Sequence, residues 1–188
     1  MTDSAEIDLF LEVLREIEGT RLVKSGALSD AFYAAATTGM HGIFSVSVPD
    51  DDDFRSFLLA LRKLLLQGDL TNIDRAANVV RKRLGPGELY EFLNTERRIW
   101  RDLAEGSGPM KLIIDGTEYK PSDAFDLLIY SGPFHHDPEK RRKLESLGPH
   151  GAQLIRQQVN FYVVALVNYA RALRHTIVEG RRQGLLPT

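Results

Sequence analysis

AQLIRQQVNFYVVALVNYARALRHTIVE, residues 152–179, is the stretch whose reading decides the fold. Leu154, Ile155, Val159, Val163, Leu166, Ala170, Leu173 and Ile177 recur at the spacing of one helical face. Phe161, Val164 and Val167 widen that face. A band so broad must be covered by several neighbours, so the spacing predicts a long helix at the centre of the core. A polar line interrupts it. At 100° per residue, Arg156, Asn160, Asn168, Arg171 and His175 fall within about a third of the circumference.

Immediately before this helix, Gly148-Pro149-His150-Gly151 reads as a chain break, which sets the expected helix start near Ala152. Further back, Asp137-Pro138-Glu139 has the order of an N-cap, a proline at the first helical position and an acidic first turn. Leu144 and Leu147 are the inward residues of that short helix. Ser122 is the expected cap of another, which packs Phe125, Leu128 and Ile129 and ends at Gly132-Pro133. Between these two short helices lie His135 and His136. Consecutive side chains diverge in helical or extended backbone, so the pair is poorly placed to share one metal. No His-Glu-x-x-His pattern accompanies it. The two histidines are candidate binding residues, and no metal site is expected.

Asp115-Gly116, between Met110–Ile114 and Thr117–Lys120, predicts a β-hairpin. A lone hairpin is marginal, and the alternating run Ile43–Val48 is its expected partner strand. The joint Gly106-Ser107-Gly108-Pro109 is where a subdivision of an otherwise single domain (residues 1–188) would fall, at 104–109.

The first half is predominantly helical by the same reading. Asp3 and Glu6 form an N-cap signal ahead of Ile7, Phe10, Leu11, Leu14 and Ile17. Arg21–Lys24 reads as a short strand, and residues 29–38 as an Ala-rich helix. Asp50 to Asp53 precede Phe54, Phe57, Leu58, Leu61 and Leu65, and their charge suits a helix N-terminus. Thr71 or Asn72 is the expected cap of the next helix. That helix turns Ile73, Ala76, Ala77, Val80 and Leu84 inward, with Arg75, Arg81, Lys82 and Arg83 outward. A further helix has Leu89, Phe92, Leu93, Trp100 and Leu103 as its buried stripe, leaving Arg97, Arg98 and Arg101 on its other sides.

The fold class that follows is α+β, mainly α. It has about six or seven helices around a long central C-terminal one, with a small antiparallel sheet or hairpin. The tail Gly184–Thr188 is expected to fray or to be used in a contact.

Composition narrows the functions. The chain has 188 residues, 43% hydrophobic and 27% charged, with a formal charge of −2. Residues 1–70 hold 6 Lys/Arg against 12 Asp/Glu, and residues 71–188 hold 18 against 14. The two parts can attract each other, or the later part can face an acidic partner. The absence of cysteine excludes disulfides, thiolate nucleophiles and cysteine-ligated metals. Neither a signal-peptide pattern nor a long uncharged apolar run is present, which predicts a cytoplasmic chain without membrane contact. Phosphate-loop, dinucleotide-binding and nucleophile-elbow patterns are also missing, so no cofactor is expected.

Basic clusters at 81–83, 97–101 and 140–143 are interleaved with Glu91, Glu96, Glu139 and Glu145, as on a solvated helix surface. Nucleic acid is therefore a possible partner but not the favoured one. The leading expectation is an interaction or regulatory protein without catalytic activity, bound to a protein partner or to itself. The competing one rests on Arg171 and His175, one turn apart. A guanidinium can hold a phosphate, and an imidazole can move protons at neutral pH. The pair resembles the Arg and His on the late helix of the HEPN ribonucleases, with a shorter stretch, Ala172-Leu173-Arg174, between them. That resemblance implies metal-independent RNA cleavage or a related phosphoryl transfer, with Arg171 and His175 as the catalytic residues. Arg156, Asn160 and Asn168, on the same polar line of the helix, are candidate binding residues.

Overall fold

The computed structural model describes residues 3–24, 52–67, 70–105, 112–131 and 137–188. The expected strand 43–48, the expected helix 29–38, the Gly106–Pro109 joint, and His135 and His136 all lie outside those residues. What is described is mainly α with a small antiparallel sheet. The helices are α1 (Ser4–Glu18), α2 (Arg21–Lys24), α3 (Asp52–Gln67), α4 (Leu70–Leu84), α5 (Glu88–Ala104), α6 (Pro121–Ser131), α7 (Pro138–Ser146) and α8 (Gly148–Arg182). Between α5 and α6 stand β1 (Leu112–Ile114) and β2 (Thr117–Tyr119).

The chain clusters into two compact units. The first comprises Met1–Gly19, Ala60–Trp100 and Ala165–Thr188, and the second Thr20–Leu59 and Arg101–Val164. Helices α3, α5 and α8 each contribute residues to both.

In the first unit, Asp3 caps α1 by accepting the Glu6 backbone N–H at 2.9 Å. Ile7, Phe10, Val13, Leu14 and Ile17 are buried, Val13 standing where Leu11 was expected. Each such side chain stabilises the fold by roughly 1.5–3 kcal/mol relative to exposure. Helix α4 begins at Leu70, so Thr71 and Asn72 are inside its first turn and do not cap it. Asn72 instead donates to the Glu6 carboxylate of α1 at 3.2 Å. Ile73, Ala76, Ala77 and Val80 face inward as the spacing predicts. Gly180 of α8 meets the side chain of Val80 so closely that no Cβ would fit.

The tail beyond α8 is docked. Leu185 N–H donates to the Gly180 carbonyl at 2.8 Å, Arg181 Nε to the Pro187 carbonyl at 2.8 Å, and Ser4 Oγ to the Thr188 carbonyl at 2.9 Å.

In the second unit, Leu112 pairs with Tyr119 and Ile114 with Thr117 across the hairpin. Asp115 and Gly116 both have positive φ, 50° and 77°, as the two-residue turn with the twist of a β-ribbon requires. Asp137 caps α7 through the N–H groups of Glu139 and Lys140. None of the residues of α7 is fully buried, Leu144 and Leu147 beside it included. Helix α6 starts at Pro121, which displaces Ser122 from the expected cap.

Two sequence expectations fail. Arg21–Lys24 forms a single helical turn, not a strand, with Lys24 N–H bonded to the Thr20 carbonyl at 3.0 Å. Gly148-Pro149-His150-Gly151 opens α8, not a break before it, giving a helix of 35 residues. Proline in a first helical turn loses no intrahelical bond, because the N–H it lacks would have no partner there. Gly151 lies against Leu147 and Ile114, where an added Cβ would stand 2.7 Å from the Leu147 Cβ. Among the described residues, no helix is long and apolar enough to cross a membrane.

Candidate functional site

The polar line of α8 divides between the two units. In the second, Asn160 is buried and Arg156 half-buried, the latter beside Leu144, Pro149 and Ala152. Their neighbour Gln158, also buried, donates to the Tyr119 carbonyl of β2 at 3.3 Å and so ties the hairpin to the helix. Tyr162 packs against Phe125 with ring centroids 5.7 Å apart, and burial, reinforced by the charge of Asp126, raises its pKa. The Gln158 bond and the Phe125–Tyr162 contact tie the hairpin and α6 to α8 within the second unit.

In the first unit, Asn168 and Arg171 are half-buried and His175 is exposed. Arg171 and Arg174 converge on one carboxylate, Glu18 at the end of α1, at 3.7 Å and 2.5 Å. His175 stands edge-on to Phe92 of α5, centroids 6.2 Å apart and planes at 61°. Arg171 thus turns toward α1 and His175 toward α5. Arg156 and Asn160 belong to the second unit and Arg171 and His175 to the first, and His135 and His136 are outside the described residues.

The densest polar cluster of this unit is one that sequence periodicity misses. Asp74 of α4 accepts from Arg97 Nε at 2.6 Å and from the Tyr169 hydroxyl through one carboxylate oxygen. Its other oxygen accepts from Asn78 Nδ2 at 3.3 Å. Trp100 stacks on Tyr169, centroids 6.1 Å apart and planes 9° from parallel. Burial first, then the hydrogen bond to Asp74 and its charge, raise the Tyr169 pKa, so the phenol stays protonated and donates. Arg97, expected outward, is only 8% exposed, whereas Phe92, expected inward, is 38% exposed. The sole sequence trace of this exchange is that Tyr169 and Asn168 interrupt an otherwise apolar run.

Further round α4 the arrangement reverses. Arg75, Val79, Lys82 and Arg83 fall within about 100° of arc and are all exposed, Val79 by 49%. Among the described residues, none of the three cations meets a carboxylate at ion-pair distance. Beside them opens a cleft of about 300 Å³, walled by Ala76, Val79, Leu185, Leu186 and Pro187. Glu6, Asn72 and Arg75 supply its polar side.

A third surface lies along the seam of α5 and α8. Phe92 and Ile99, seven residues apart, are 38% and 39% exposed on one edge of α5, and Val178, one turn from His175, is 53% exposed. Among the described residues no group of three or more His, Asp or Glu side chains could hold a metal ion.

Compared with protein-family models, curated proteins and solved structures, the chain matches none.

Proposed function

We propose that the chain is a soluble cytoplasmic interaction or regulatory protein without catalytic activity, whose binding surfaces lie on the first unit. The observation that carries this reading is the exposure of the large apolar side chains Phe92, Ile99 and Val178 on α5 and α8, with Phe92 against the exposed His175. Large apolar side chains gathered at one seam lose water when a partner covers them, which favours association. Two cations on the same helix as His175 are engaged internally, Arg171 and Arg174 with Glu18. A protein partner or a second copy of the chain fits such a ridge better than a polar substrate does.

Native mass spectrometry of the protein purified from its own host tests the reading. A protein complex or homo-oligomer is expected, and Phe92→Glu with Val178→Glu should dissolve it. A monomer free of protein partners would sink it.

A metal-independent ribonuclease resembling the HEPN enzymes is the second reading. Its supporting observation is that His175 is solvent-exposed one turn from Arg171. RNA cleavage by the wild type that His175→Ala abolishes would establish it, and equal cleavage by both, or none by either, removes it.

A further inference from the structure

The geometry points to the outer face of α4 and its adjoining cleft as the docking site for an acidic amphipathic helix of a partner protein. This rests on the interaction reading above but names a surface other than the α5–α8 seam.

Charge complementarity carries the argument. Arg75, Lys82 and Arg83 stand on one face with no carboxylate partner among the described residues, while Lys63, Arg97, Arg174, Arg181 and Arg182 of this unit each meet one. Lys63 bonds Glu16, Arg97 bonds Asp74, Arg181 bonds Asp8 and Arg182 bonds Glu179. Unpaired cations attract acidic surfaces and steer their approach.

The spacing selects the form of the partner. Arg75 and Lys82 are seven residues apart, roughly 10 Å along the helix, with Val79 between them. A partner helix with an acidic residue one turn to either side of a leucine-sized residue presents the same spacing. Its apolar side chain enters the cleft against Val79, Leu185 and Leu186, and its carboxylates meet the flanking cations. Glu6, at the polar side of the cleft, is held by Asn72 at 3.2 Å.

The cleft favours peptide over nucleic acid. Single-stranded RNA gains much of its affinity from bases stacked on aromatic rings. The residues lining this cleft include no aromatic side chain. Its volume of about 300 Å³ suits one or two aliphatic side chains.

The test is selection from a displayed random-peptide library on the full-length protein, followed by fluorescence anisotropy with the enriched peptides. Acidic peptides with a central aliphatic residue should be enriched, and raised salt should weaken their binding. Arg75→Glu with Lys82→Glu, and separately Val79→Glu, should each weaken binding at least about tenfold, with unchanged circular dichroism and thermal midpoint. Four results would overturn the proposal: no enrichment, enrichment of basic peptides, binding indifferent to these substitutions, or a uridine-rich oligonucleotide binding more tightly than any selected peptide. Binding that ignores the α4 substitutions but is lost in Phe92→Glu overturns this site and leaves the interaction reading standing. RNA cleavage lost in His175→Ala overturns the interaction reading itself.

Discussion

The two faces of α4 carry similar residues with opposite consequences. On the inner face Asp74 and Asn78 meet Arg97 and Tyr169, and on the outer face Arg75, Lys82 and Arg83 stand in solvent around Val79. Asp74 and Arg75 are adjacent in the chain. One turns into a three-helix network and the other away from it, because successive residues on a helix are 100° apart. A charge brought inside is favourable only where an opposite charge meets it, as Asp74 meets Arg97, whereas one left outside remains available to something else. The inner face therefore reads as architecture and the outer as a surface for recognition.

The largest effect expected from breaking this contrast comes from Asp74→Ala. It leaves the Arg97 guanidinium buried without its anion and the Tyr169 hydroxyl without its acceptor. A loss of about 3 kcal/mol is expected in chemical denaturation. Exchanging Asp74 and Arg97 together for apolar residues of similar volume should recover most of it. A double variant as unstable as Asp74→Ala would show that the pair itself, not the stranded charge, is what matters.

Tyr169→Phe sharpens the same point with a smaller effect, about 1 kcal/mol at neutral pH. It should also change the emission of Trp100, the sole tryptophan of the chain, which stacks on that ring. The effect depends on pH in a defined direction. Burial and Asp74 raise the Tyr169 pKa in the folded state, so folding binds its proton more tightly. Stability from this group is complete below the unfolded value near 10 and declines as pH rises above it. The gap between wild type and Tyr169→Phe should therefore narrow above about pH 10 in thermal melts. A gap that widens there would refute the assigned hydrogen bond.

The smallest effect belongs to the outer face. Arg75→Glu, Lys82→Glu and Arg83→Glu should each change stability by no more than about 0.5 kcal/mol, since none is engaged in an ion pair. A thermal midpoint lowered as much as in Asp74→Ala would erase the distinction between the faces.

Much of the architecture was legible along the chain. The α1 cap by Asp3, the Asp137-Pro138 start of α7, the Asp115-Gly116 hairpin and the apolar face of α8 all stand where local patterns place them. Local errors came from signals that two structures share. A proline-glycine cluster suits both a break and a first helical turn, and Arg21-Leu22-Val23-Lys24 is too short for periodicity to distinguish a strand from a helical turn. Of the candidate residues, Arg171 and His175 are indeed neighbours along α8, yet one is drawn to Glu18 and the other to Phe92. That separation depends on where α1 and α5 lie against α8, which spacing within one helix does not contain.

By itself the sequence determined most of the helical elements, the caps at Asp3 and Asp137, the hairpin and the long last helix, because these depend on contacts a few residues apart. Only tertiary packing decided that Arg97 is inside and Phe92 outside, that Tyr169 donates to Asp74, and that the tail closes over Gly180. Hydrophobicity ranks an arginine as exposed until a distant carboxylate makes its burial favourable, and that carboxylate is brought to it by the fold.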